Sequence, residues 1–299
     1  VRHQRPPPPD GTRSLLRTLS GAQPWAAKAR AGCLWDRRAA FRLRLSPPQN
    51  LHHLDMARPT RTFLPGCPHL VVQSTLDRKP ALAGDEAKQK YLDCLRDVAR
   101  LHDVKVHAYA IGDDEVLLLL TPEDGPSLSR MMQALGRRFV AWLNHRDQRR
   151  GTIWEGRFSA CPLLTHHFAL QAQRMIEAAL ASTTPAWSAG TSMVHVQGAR
   201  WTSSSHHLGH KTDLALDSQA AYWALGNTPF DREARYRALL EEGLSRRETQ
   251  QLLQAARSAR PLAHEDSLRQ WEKRLGLSLL RRPRGRPRKD AAGEGRSAS

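Results

Sequence analysis

The feature that most constrains this chain is the stretch from Val104 to Leu120, VKVHAYAIGDDEVLLLL, two apolar runs joined by a tight acidic turn. Val106, Ala108 and Ala110 alternate with His107, Tyr109 and Ile111, and Val116 to Leu120 is continuously apolar. The pair therefore predicts an antiparallel hairpin with a fully buried second strand, turned at Gly112 and Asp113. A strand of that kind belongs at the centre of a sheet. There an enzyme places metal ligands on the face opposite the core, and here that face offers Glu115 and then Leu117.

The segments around the hairpin supply the partners of such a sheet. Pro65-Gly66-Cys67-Pro68 is turn chemistry, and His69 to Thr75 reads as a β-branched strand. A helix capped by Asp85 runs to about His102, with Tyr91, Leu92, Leu95, Val98 and Leu101 on one face. After Pro126-Ser127, the residues Leu128, Met131, Met132, Leu135, Phe139, Trp142 and Leu143 form a second helical face, while Arg130, Arg137, Arg138 and Arg146 lie off it. Gly151 to Phe158 reads as a loop, Ser159 to Leu164 as a strand, and Phe168 to Ala181 as a third helix burying Leu170, Ile176 and Leu180. Strand, helix, hairpin, helix, strand, helix is an α+β order, compatible with a ferredoxin-like antiparallel sheet with helices on one face.

Charge points to the partner. The 299 residues carry 46 Lys+Arg against 29 Asp+Glu, a formal net charge of +17, which favours a polyanion, and nucleic acid is the economical one. No apolar run approaches the ~20 residues that span a bilayer, so no membrane partner is expected. Cys33, Cys67, Cys94 and Cys161 form no C-x-x-C pair, which argues against a zinc ribbon or a disulfide framework and suits reduced thiols in a cytosolic protein.

Composition divides the chain. Residues 1–55, Pro-rich and then Arg-rich, read as a disordered arm or a transit-like segment, or as an over-extended gene start ahead of Met56-Ala57-Arg58-Pro59. Residues 56–182 form the ordered domain, 183–217 a Ser/Thr/Gly/His linker anchored by Trp187 and Trp201, and 218–278 a helical module. Its helices are expected at Ala220 to Leu225, Arg232 to Glu242, Ser245 to Arg257, with Ser245 and Glu248 in capping-box spacing, and Glu265 to Leu275. Residues 279–299 read as a basic disordered tail. Within it Arg284-Gly285-Arg286-Pro287 resembles an AT-hook, whose arginines, with Arg288 and Lys289, would enter an A·T-rich minor groove.

The blocks PGCPHLVVQ, VHAYAIGDDEVLLLLTPEDGPSLSRMMQALGRRFVAWLNHR, GTIWEGRF and RMIEAAL, followed by WTSSS, AYWALG, YRALL and GRPRK, resemble in order those of the REP-associated tyrosine transposases, the single-tyrosine His-hydrophobic-His branch. The resemblance runs from about Ala57 to Lys289. It implies cleavage of single-stranded DNA: two histidines on the central strand and an Asn or Gln on the third helix hold Mg²⁺ or Mn²⁺ against the scissile phosphate. A tyrosine one turn before that amide then attacks to form a 5′-phosphotyrosine.

The chain departs from that pattern at each of the four positions. Glu115 and Leu117 stand where the resemblance puts the histidines, Met175 where it puts the tyrosine, and Ala179 where it puts the amide. Leu117 and Ala179 cannot bind a metal, and Met175 has no oxygen with which to attack a phosphate. No intact catalytic or metal site, and no cofactor, is therefore expected. Asp113, Asp114 and Glu115 could form a replacement carboxylate cluster, but neighbouring strand residues point to opposite faces, which favours a solvated acidic turn. Tyr91 reads as core and Tyr109 as a strand residue. The pairs His166-His167 and His206-His207 read as exposed loop histidines.

The binding features are better kept. Arg137, Arg138, Asn144 and Arg146, with Arg149-Arg150, cluster at and after the basic helix, and Trp154 and Arg157 belong to the family-like loop. Arginine offers bidentate phosphate contacts and Trp a platform for an unpaired base, which suits single-stranded or hairpin DNA. The expected function is DNA binding at repetitive palindromic elements without strand cleavage, in the cytoplasm and on the nucleoid. The alternatives are an active nicking enzyme with a rearranged site, or a decaying product with no selected role.

Overall fold

In the computed structural model, β1 (His69–Ser74), β2 (Val104–Ile111), β3 (Glu115–Pro122) and β4 (Ser159–Pro162) form one antiparallel sheet in the order β2-β3-β1-β4. Helix α1 (Asp85–Leu101) follows β1 and α2 (Ser127–Arg146) follows β3, giving the βαββαβ order of a ferredoxin-like sheet. The α+β class and the central hairpin expected from the sequence are those observed. The structure describes residues 63–179, 200–276 and 279. The N-terminal arm, the start at Met56, Trp187, residues 183–199 of the expected linker, and Arg284, Arg286, Arg288 and Lys289 lie outside them.

The hairpin closes where the sequence placed it: Ile111 pairs with Val116 and Ala110 with Leu117, and Gly112 N donates to Glu115 O at 2.9 Å. Because β3 is apolar at five successive positions, it has no face to give to water. Val116, Leu118 and Leu120 pack beneath α1 and α2 with Tyr91, Leu95, Phe139 and Trp154. Leu117 and Leu119 face the other way, under α3 (His166–Ala178) and the later helix α7 (Arg246–Ser258). Helices thus cover both faces, where the sequence reading put them on one. The reason is the continuous apolar run, since an alternating strand could have left one face solvated.

Between α3 and α7 lie α4 (Ser204–His207), α5 (Ala220–Trp223) and α6 (Pro229–Glu242), and α8 (Glu265–Leu275) follows. Residues 200–217 are not a bare spacer. They run along the free edge of β2, where Ile111 N donates to Trp201 O, Ser203 N to Tyr109 O and Asp217 N to Val106 O, all within 3.0 Å. At the opposite edge, Leu262 N donates to Pro162 O at 2.8 Å and Leu164 N to Leu262 O at 3.0 Å. Both sheet edges are therefore closed by chain from the C-terminal half, which removes the unpaired backbone groups that edges expose.

Local capping follows the sequence with two differences. Ser245 and Glu248 do form a capping box on α7, and Thr228 caps α6, which begins at Pro229 rather than Arg232. At α1 the capping position is Gly84, and Asp85 is the first helical residue. The Asp85 carboxylate instead accepts the Trp201 indole N–H at 2.9 Å and an Arg200 contact, tying α1 to the segment beside β2. Among the described residues no helix is long and apolar enough to cross a membrane.

Candidate functional site

The four positions at which the sequence departs from the transposase pattern lie on β3 and α3, and the structure brings three of them together. Leu117 and Met175 are 7% and 4% exposed and belong to one apolar cluster with Ala108, Ala110, Phe168, Ala172 and Ile176, against which Ala179 packs. Leu252 and Ala256 of α7 belong to the same cluster. The side chains of Leu117, Met175 and Ala179 bring only carbon and one thioether to the cluster, which also holds the Cys161 thiol. Helix α7 is tied to α3 where Gln171 Nε2 donates to Glu248 Oε1 at 2.6 Å, and the end of α6 just before it where Arg174 donates to the Gly243 carbonyl and pairs with Glu242 at 3.4 Å.

Glu115 does not join that cluster. Its Oε1 accepts from Ser74 Oγ at 3.0 Å and from Arg78 Nη1 at 2.9 Å. The neighbouring turn acids take separate partners, Asp114 with Arg78 Nε at 2.9 Å and Asp113 with Lys88 at 2.5 Å. Among the described residues no group of three His, Cys, Asp or Glu side chains could hold a metal ion.

The expected DNA-binding residues divide. Trp154 is core: it is 7% exposed and packs against Tyr91 and Phe139. It can offer no ring face to a base, because the loop carrying it is drawn under α2 and bonded to β1 through Glu155 N to Ser74 O at 3.1 Å. Asn144 shapes the same loop by donating to Gly151 O at 2.9 Å. Arg146 is tied to Asp147 at 2.6 Å and lies over Trp142, and Arg138 reaches Asp97 at 3.8 Å. Arg137 and Arg157 are exposed. The basic helix thus keeps a cationic surface, part of it spent on its own acids.

The histidines correct a further expectation. His166 and His167 are exposed, but His207 is fully buried. It belongs to a polar centre that the sequence reading missed, built on Glu177 of α3. The Glu177 carboxylate, also fully buried, accepts from Ser203 Oγ at 2.6 Å, His207 Nδ1–H at 2.6 Å and Tyr236 OH at 2.7 Å. A buried carboxylate is tolerable only with such partners, so Glu177 fastens α4 and α6 to α3. Burial and this carboxylate both push the Tyr236 phenol far above its usual range, so it remains a donor. The available signal was the pattern of α3, in which Gln171, Gln173, Arg174 and Glu177 are buried alongside its apolar residues, leaving almost no polar face.

His69 and His107 are held neutral by burial. His69 Nδ1–H donates to Cys67 O at 2.7 Å while its Nε2 accepts Leu64 N–H at 3.2 Å, and burial pushes its pKa down to about 4. His107 sits at a register shift in β2 between Asp217 O and Thr121 Oγ1, and burial likewise lowers it to about 4.

No family model and no curated protein matches this chain. Among solved structures it is similar to a REP-associated tyrosine transposase bound to a REP hairpin, with 12% identity over 55% of this chain and 99% of that one and a TM-score of 0.42. It is also similar to a candidate transposase from Deinococcus radiodurans R1, with 24% identity over 40% of this chain and 96% of that one and a TM-score of 0.30.

Proposed function

We propose that this chain is a DNA-binding protein of the transposase type, that its partner is single-stranded or hairpin DNA, and that it does not cut the strand. The observation that carries the reading is the closed second face of the sheet, where Leu117 and Met175 pack against α7. A Mg²⁺ or Mn²⁺ ion does not fit these residues, since hard cations need oxygen or imidazole ligands and the cluster offers carbon, a thioether and the Cys161 thiol. A nucleophile is missing for the same reason. The basic balance of the chain and the exposed Arg137 and Arg157 support DNA as partner, through phosphate contacts that release counterions.

The test uses a labelled oligonucleotide hairpin with Mn²⁺. The native chain is expected to bind it with an affinity that falls steeply as salt rises, and to yield no covalent protein–DNA adduct. A metal-dependent adduct would overturn the non-cleaving reading, and the mapped residue would identify the nucleophile. Affinity indifferent to salt would overturn the phosphate-contact argument.

A further inference from the structure

We infer that the cleft between the 206–212 segment, α5 and α6 is a docking site for a single DNA strand, with one unpaired base on Trp223 and an adjoining phosphate between Lys211 and Arg232. The inference rests on the DNA-binding reading above and places a contact on a surface that this reading leaves unassigned. The cleft has a volume of about 230 Å³, and Lys211, Thr212, Trp223, Arg232 and Glu233 are among its lining residues. That space admits a base and not a duplex.

Trp223 supplies the platform that Trp154 cannot. The indole is 48% exposed, yet it is fixed in place: its Nε1 donates to Ser218 O at 3.2 Å, and the Arg232 guanidinium carbon lies 4.1 Å from the ring centroid. With one face covered by the guanidinium, the open face is available to a base, a sequence-tolerant contact because every base has a π-face.

Arg232 is an independent mark of an anion. It is only 8% exposed, and its partners are the Gly226 carbonyl at 3.1 Å and the Trp223 ring, neither of them charged. None of the ion pairs formed among the described residues includes it. A guanidinium held so far out of water without a counter-charge is costly, and a phosphate in the cleft it lines would supply one. Exposed Lys211 brings a second cation and Thr212 a hydroxyl donor to the same space. Glu233, the one acid among the lining residues, has its carboxylate seated against Gly209, where a side chain would collide with it.

The experiment uses the full chain and a short oligothymidylate carrying 5-iodouracil. Irradiation is expected to cross-link the native protein at the peptide containing Trp223. Trp223→Ala should weaken binding about tenfold, and Lys211→Gln should lower the salt slope by about one. Trp223→Phe should restore most of the affinity. Both positions are well exposed, so unchanged melting temperatures are expected and verify that the variants are folded. Binding by the native chain with cross-links elsewhere, and with Trp223→Ala and Lys211→Gln indistinguishable from it, would overturn this site and leave the DNA-binding reading intact. Failure of the native chain to bind either the oligothymidylate or a hairpin would overturn both.

Discussion

The two faces of the sheet are built from the same β3 strand and obey different rules. The first face, under α1 and α2, is a large-residue core in which Tyr91, Phe139 and Trp154 pack edge-on or tilted with ring centroids 5.1–6.4 Å apart. The second face mixes small residues, Ala108, Ala110, Ala172 and Ala256, with large ones such as Leu117, Leu119, Phe168 and Met175, includes no Tyr or Trp among the described residues, and is closed by a helix from the far end of the chain. One is assembled within a single βαββαβ unit, and the other needs residues more than 130 positions apart, such as Leu117 and Leu252. The difference teaches where chemistry could have been placed. A first-face core has no room for it, whereas on the second face Leu117 and Met175 lie in an apolar cluster that α7 covers.

The comparison can be broken most severely from the first face. Phe139→Ala should cost about 3–5 kcal/mol, as large-to-small changes at well-packed sites do, and urea denaturation followed by circular dichroism measures it. A cost under about 1 kcal/mol would mean that this face is not the principal core. Glu177→Ala, which strips Ser203, His207 and Tyr236 of their common acceptor, should cost about 3 kcal/mol. Hydrogen exchange would sharpen the contrast: protection should fall in α4 and α6 and persist in α1 and α2. Uniform loss would show that the two faces unfold as one.

Leu117→His should cost about 2 kcal/mol, because an imidazole enters an apolar cluster without a partner. The same burial bears on any attempt to build in the residues of the pattern that the sequence resembles. Glu115→His, Leu117→His, Met175→Tyr and Ala179→Asn together should give no covalent adduct with a hairpin while α7 remains in place. An adduct from that variant would show that α7 opens readily.

A further expected effect is on pH dependence. His69 and His107 have native pKa values near 4 against about 6.5 when unfolded, so the native state binds fewer protons between those values. Stability is then full above about pH 6.5 and declines as pH falls towards 4, with a slope corresponding to about two protons taken up on unfolding near pH 5. Replacing His107 by Gln should remove about one of them. An unchanged slope would locate the uptake elsewhere.

Part of the fold was legible because its signals are local. The Val104–Leu120 hairpin and the Ser245–Glu248 cap follow from residue type and short spacing, whereas Glu115, Leu117, Met175 and Ala179 were singled out only through the resemblance. The misreadings share a different cause. Trp154, His207 and the 200–217 segment were taken for surface or spacer because their composition is polar or isolated, and only partners distant in sequence bury them. Trp223, by contrast, was read only as part of a helix, since among the described tryptophans exposure is what distinguishes it.

What the sequence determined by itself is therefore the βαββαβ order, the buried central strand and the basic balance. Those are properties of residue type and of periods two and 3.6, which need no knowledge of distant contacts. What the tertiary structure decided is which face each residue meets. It sent Trp154 into the core, set Trp223 and Arg232 in an open cleft, gathered three partners around Glu177, and laid α7 over Leu117 and Met175. Burial is a property of pairs of segments, and a single residue carries no record of the segment that will cover it.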